Sequence, residues 1–273
     1  MARQRFGLTL GGGGVRGLMH IGVLKALEAA GLFPDCLSGT SMGGIIAAAY
    51  AAGMPLDEME KVALRLADPA EVVRLLDLSI LRGQMETFIA ELFDPRLTFA
   101  DLKRPLALSA VDLLTTREVT LTEGRLLPAV LATCAVPGLF PPQNIPPYHL
   151  VDGAFLNNVP VGPARALGAG VVLAVDSVGD PALSPHTSQM PILPDWPISL
   201  PEHIIDIYWA AVIMLTAATR ARLEKEPPDL LLAPRLPDEI ILFLGFTRVA
   251  EIIEAGESAA QQILPELEQL LQT

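Results

Sequence analysis

Apolar residues along the chain gather in short blocks divided by glycine and proline. Phe6 to Leu10 is an apolar run that meets four glycines, the pattern of a buried strand ending where backbone must come close to something. A helix is predicted from the glycines around Gly12 to Gly17 as far as about Ala30, with Gly31 placed to end it. A second strand follows at about Cys36 to Ser38, then a helix from Met42 to Ala52. Helical spacing returns from Leu56 to Ala67 and from about Met85 to Phe93, interrupted by Gly53, Pro55, Pro69 and Gly83. Pro105 to Val111 reads as the next buried strand, with Glu118 to Leu121 paired to it. Leu126 to Thr133 is helical until the Pro-rich stretch Cys134 to Pro142 halts it, and His149-Leu150-Val151 makes another short strand. A helix then leads to the strand Gly170 to Asp176, and Ser177 to Glu202 is a Pro/Ser-rich loop or flap. A helix from Ile204 to Lys225, a strand at Leu230 to Ala233 and a last helix from Thr247 to Leu271, bent or broken before Pro265, complete the pattern. Strands alternating with helices predict an α/β fold with a central, mostly parallel sheet, as one domain over residues 1–273.

Composition supports a large core, since 51% of residues are hydrophobic and 18% charged. The 31 acidic and 19 basic residues leave a net charge of −12, which disfavours nucleic acid and strongly anionic surfaces. Membrane contact is then expected to be hydrophobic and transient, or to rely on a local basic patch. Cys36 and Cys134 are too few for a disulfide framework and read as buried thiols. The basic Met1 to Arg5 is followed by too short an apolar run for a secretion signal, and Ile204 to Ala218 falls short of a membrane span. A cytoplasmic protein, peripheral to membranes at most, is the expectation. His and Cys never cluster at ligand spacing, so neither metal nor cofactor is expected.

The candidate chemistry lies at the ends of the first two strands. Gly39-Thr40-Ser41-Met42-Gly43 has the Gly-x-Ser-x-Gly spacing of a nucleophile elbow, a tight strand-to-helix turn that exposes one serine hydroxyl. Gly12-Gly13-Gly14-Val15-Arg16-Gly17 is a strand–glycine–helix layout whose successive N–H groups make an anion nest, with the Arg16 charge beside it. A dinucleotide site needs an acidic residue ending the second strand, whereas Ser41 stands there and Asp35 lies at the strand's other end. A P-loop is excluded because no Gly-Lys-Ser/Thr follows the glycines. Asp152-Gly153 follows a short strand, as a plain turn or as a carboxylate held at the site. A Ser-His-Asp triad would run from Ser41 to His186 or His203, but hydrolase elbows of that kind come after several strands and Ser41 comes after one. His20 reads as a packing residue. His149 stands as a rival base or pocket residue near Asp152.

Taken in order, Gly12-Gly13-Gly14-Val15-Arg16-Gly17, Gly39-Thr40-Ser41-Met42-Gly43 and Asp152-Gly153-Ala154 resemble the patatin-like phospholipases, in the bacterial branch grouped with neuropathy target esterase. The segment Ala135 to Pro142 and Asn157-Asn158-Val159-Pro160 match as well, so the resemblance spans nearly the whole chain. It implies a three-layer α/β/α fold and acyl-ester hydrolysis by a serine–aspartate dyad, with Ser41 as nucleophile and Asp152 as base. Gly12, Gly13, Gly14 and Met42 would supply the oxyanion hole, with Arg16, Gly17, Gly39, Gly43 and Gly153 shaping it. The substrate implied is a lipid or other acyl ester, with apolar residues of Ile192 to Leu215, including Trp196, Tyr208 and Trp209, lining an acyl pocket or packing in the core. Leu131 and Thr133 depart from the family pattern, which commonly has arginine and serine there. A small-ester hydrolase or thioesterase, and a non-catalytic regulatory member, remain the other readings; the sequence leaves oligomeric state open.

Overall fold

The computed structural model describes residues 3–65, 67, 87, 89–179, 202–237, 240, 242 and 246–272. The strands are β1 (Phe6–Leu10), β2 (Cys36–Gly39), β3 (Leu106–Asp112), β4 (Arg117–Leu121), β5 (Gln143–Ile145), β6 (Tyr148–Asp152), β7 (Val171–Val175) and β8 (Leu230–Leu232). They form one sheet in the order β5-β6-β3-β2-β1-β7-β8, with β4 also on β3. The run β3-β2-β1-β7-β8 is parallel, while β4, β5 and β6 join antiparallel. Leu10 pairs with Gly39 and Val175, so the loops after β1, β2 and β7 open at one edge. Ligands of open α/β sheets bind at this edge.

The helices are α1 (Met19–Ala29), α2 (Ser41–Ala52), α3 (Leu56–Arg65), α4 (Leu126–Thr133), α5 (Ala154–Asn157), α6 (Val161–Ala166), α7 (Glu202–Lys225) and α8 (Val249–Gln272). Strand β7 shows how both faces of the sheet are filled. Val171, Leu173 and Val175 face the main core with Phe6, Leu8 and Leu10, whereas Val172 and Ala174 join Val159, Val161 and Ala164 on the other face. The period-2 alternation of side chains therefore gives two apolar layers from one uninterrupted apolar run. Helix α1 ends as the sequence predicts: Gly31 has φ 71°, and the N–H groups of Gly31 and Leu32 return to the carbonyls of Glu28 and Leu27. Gly22 on α1 and Gly256 on α8 let the two backbones touch, since a Cβ on either would run into the Ile253 or Met19 carbonyl.

Three expectations change. The helix after the glycines begins as a 3-10 turn, Gly14–Leu18, before α1. Helix α8 continues through Pro265 without a break, because Leu267 and Leu271 beyond it are buried in the same core as Ile252 and Ile253. The hairpin strand β5 has no counterpart among the expected elements, its residues being too polar and too few to show alternation. Of the helix expected at Met85 to Phe93, residues 89–92 are described and helical. Most of the Pro/Ser-rich segment, with Trp196 and His186, lies outside the described residues, as do the side chains of His203 and Tyr208. Among the described residues no helix is long and apolar enough to cross a membrane.

Candidate active site

Ser41 opens α2 with φ 53°, in the left-handed region that an L side chain enters at a cost. Its neighbours explain how the turn closes. A Cβ on Gly43 would strike the Leu10 and Gly11 carbonyls, and one on Gly39 would lie 2.7 Å from the Gly43 carbonyl. The Ser41 N–H donates to Thr133 Oγ1 at 3.0 Å, and the Thr133 hydroxyl donates to the Ser109 carbonyl at 2.6 Å. Thr133, one of the two departures from the family pattern, thus ties the elbow to β3.

Asp152 ends β6, opposite Ala110 of β3, and is buried. Its Oδ1 accepts the Ala154 N–H at 2.9 Å, and the Ser41 hydroxyl, near the carboxyl, favours its charged form. Burial outweighs these favourable contacts and pushes its pKa up to about 7. Cys134, buried beside it, is held neutral because burial pushes its thiol well up. Gly153 packs its Cα against β3, where a Cβ would strike the Ser109 carbonyl.

The glycine loop lies alongside. A Cβ on Gly12 would sit 3.0 Å from Ser41 Cβ. The Gly12 N–H, expected as an oxyanion donor, instead donates to the Asn158 carbonyl at 3.2 Å. Among the described residues the N–H groups of Gly13 and Gly14 meet no protein acceptor. Met42, at the second position of α2, has the orphan N–H of a helix start and the positive end of its dipole. Gly14 has φ 54° and has no room for a side chain, the Leu242 carbonyl occupying the place. Gly17 is packed by the Met42 side chain. Arg16, expected as a charge beside the nest, donates from Nε to the Ser177 carbonyl at 2.7 Å and from Nη1 to the Ile240 carbonyl at 2.8 Å. Its guanidinium fork therefore fastens the loop to two distant segments.

The histidines take other places. His20 is fully buried, bonds the Gly11 carbonyl through Nε2 at 2.7 Å, and has its pKa lowered by burial to about 4, so it is neutral and Nε2 carries the proton. The His149 ring meets Asn144 Oδ1 at 2.7 Å on the β5–β6 hairpin, and its backbone N–H donates to Asp112. Asn157, Asn158, Ser177 and Thr133, all buried, complete the surroundings of the site. Sequence spacing marks Asn157-Asn158 only as a motif segment, and assigns Ser177 to the loop. Two surface cavities, one between Glu28, Tyr50 and Arg104 and one between Phe99, Leu102 and Leu167, include neither Ser41 nor Asp152.

A glycine loop, a serine elbow and a buried aspartate, in that order on one sheet edge, agree with a sequence profile described as patatin-like phospholipase, which matches residues 8–165. The chain belongs to the patatin-like phospholipase family. Its similarity to NTE family proteins supports the neuropathy-target-esterase-like branch: it is 32% identical over 198 residues to the uncharacterized NTE family protein Rv1063c of Mycobacterium tuberculosis, covering 70% of this chain and 54% of that one. It is 35% identical over 179 residues to mouse patatin-like phospholipase domain-containing protein 6, covering 62% of this chain and 13% of that one. The chain thus spans about half or less of the length of these relatives. Among solved structures, VipD from Legionella pneumophila shares the fold, with a TM-score of 0.54 at 12% identity over 97% of this chain and 67% of that one.

Proposed function

We propose that this patatin-like chain is a serine lipid acyl hydrolase that cleaves fatty-acyl ester bonds of phospholipids, lysophospholipids or related lipids. The observation that carries the reading is a buried carboxyl, Asp152, with a pKa pushed up to about 7, at the sheet edge where the elbow exposes Ser41. Such a group is ionised often enough near neutral pH to accept a proton, and basic enough to hold it.

In the first half-reaction the Asp152 carboxylate takes the Ser41 proton as Oγ attacks the ester carbonyl carbon. The carbonyl π electrons move onto oxygen, and the N–H groups of Gly13, Gly14 and Met42 stabilise that oxyanion. A single such donor is worth about 2.7–4 kcal/mol, so these three outweigh what the modest base contributes. When the tetrahedral intermediate collapses, the C–O bond to the alcohol breaks and protonated Asp152 returns its proton to the leaving oxygen. Water then gives a proton to Asp152 and attacks the acyl-serine, releasing the fatty acid and restoring both side chains. Every proton is accounted for by one carboxyl, with no histidine required.

A lipid substrate is supported by the apolar surface beside the base. Phe155 and Leu156, within four residues of Asp152, are 54% and 42% exposed, and α5 packs against α7, where Ile207 and Met214 are exposed. Hydrolysis of p-nitrophenyl acyl esters of rising chain length, by the wild type, Ser41→Ala and Asp152→Asn, tests the proposal. Preference for long chains with both variants inactive is expected. Preference for acetyl esters assigns the chain to small-ester chemistry, and full activity in both variants refutes the dyad.

A further inference from the structure

Three hydrogen bonds from two distant parts of the chain converge on Gly12. The Asn158 backbone carbonyl accepts the Gly12 N–H, the Asn158 Nδ2 donates to the Gly12 carbonyl at 3.2 Å, and the Ser177 hydroxyl donates to that same carbonyl at 2.9 Å. Asn158 and Ser177 are both buried, at 1% and 0% exposure, so water does not compete for these bonds. The Ser177 backbone is in turn fixed by Arg16 Nε. Its hydroxyl occupies the space a Gly13 Cβ would need, so the contact exists only because residue 13 is glycine.

Peptide planarity gives this clamp a consequence for catalysis. In a trans peptide the Gly12 C=O and the Gly13 N–H are coplanar and point in opposite directions. Two donors that fix the Gly12 carbonyl therefore fix the direction of the Gly13 N–H. Glycine on both sides of that peptide would otherwise leave it free to rotate. Asn158 keeps this arrangement although, among the described residues, its buried Oδ1 meets no partner. Aspartate in its place would set a carboxylate against the Gly12 carbonyl, where the asparagine amide offers a donor.

We infer that Asn158 and Ser177 are positioning residues for the oxyanion hole, aiming the Gly13 N–H through the Gly12 carbonyl. The inference rests on the hydrolase reading above, and it names residues that touch neither nucleophile nor base. An oxyanion donor acts on the transition state, so misdirecting one lowers kcat and spares ground-state binding.

The test is ester hydrolysis on a long-chain p-nitrophenyl ester by wild type, Ser41→Ala, Asn158→Ala and Ser177→Ala, together with inhibition by a long-chain trifluoromethyl ketone, which forms the tetrahedral adduct. Asn158→Ala is expected to lower kcat about 10- to 100-fold, and Ser177→Ala by less, with KM changed less than about threefold. Affinity for the ketone should fall by the same factor as kcat/KM, and the pH midpoint set by Asp152 should not move. A role confined to stability would lower the melting temperature and leave kcat intact below it. If Asn158→Ala does not fold, Ser177→Ala decides, and an unchanged kcat there overturns the inference. Hydrolysis that depends on Ser41 but stays within about twofold of wild type in Asn158→Ala refutes the positioning role alone. Hydrolysis that persists in Ser41→Ala refutes the hydrolase reading, and the positioning role with it.

Discussion

Replacing Asp152 with asparagine should make the protein more stable and inactive at once. The carboxyl has a pKa of about 7 in the folded chain against an ordinary value of 3.8, because folding removes it from water. Between those two values the folded state holds a proton that the unfolded state has released, so stability falls as pH rises from about 4 to about 7. The full difference corresponds to about 4 kcal/mol above pH 7. Asparagine carries no charge to desolvate, and its Oδ1 can still accept the Ala154 N–H. Its buried Nδ2 is a donor the carboxylate did not have, and part of the gain is lost where that donor is imperfectly met, so a net gain of about 2–4 kcal/mol at pH 8 is expected. That gain corresponds to a melting temperature about 4–8 °C higher. Urea unfolding at pH 8, 6 and 4 measures it directly: the advantage should shrink through pH 6 and vanish by pH 4. A variant no more stable than wild type at pH 8 would refute the buried, high-pKa carboxyl. The same residue makes kcat/KM of the wild type rise with pH to a plateau, with its midpoint near 7, as the base ionises.

Other substitutions probe separate parts of the account. Ser41→Gly should be about 1 kcal/mol more stable than Ser41→Ala in urea, since glycine alone enters φ 53° without strain, and both should be inactive. Gly22→Ala should destabilise the fold by about 3 kcal/mol or more in thermal unfolding, because its Cβ would drive α1 away from the Ile253 carbonyl of α8. His20, neutral with a pKa of about 4 against 6.5 unfolded, costs about 3 kcal/mol as pH falls from 6.5 to 4, the unfolded chain taking the proton first. A His20→Gln variant should lose that part of the acid dependence in urea titrations at both pH values.

How much of this was legible in the sequence follows from the range of each interaction. The elbow and the glycine loop are visible because a left-handed φ and close backbone approach demand glycine at fixed spacing, and Gly39, Gly43 and Gly14 meet that demand locally. The apolar runs of β1, β3 and β7 are equally plain, since strands buried on both faces need no polar alternation. Residues that act across the fold are not plain. Thr133 reaches Ser41 over 92 positions, Asn158 reaches Gly12 over 146 and Ser177 over 165. A polar residue at the end of a helix or in a turn has the same local signature whether it binds water or a distant backbone. Arg16 departs from its expected role for the same reason: its positive charge is visible in the sequence, but the carbonyls of Ser177 and Ile240 that engage it lie more than a hundred residues away. Gly12 keeps its place in the loop yet gives its N–H to Asn158.

The central claim is that Ser41 is a nucleophile activated by Asp152. Intact-mass analysis after incubation with an alkyl fluorophosphonate at about pH 7.5, where the base is largely ionised, tests it without a choice of lipid. One covalent adduct on Ser41 is expected in the wild type, none in Ser41→Ala, and much slower labelling in Asp152→Asn. An unlabelled wild type, or labelling that is as fast in Asp152→Asn, would contradict it.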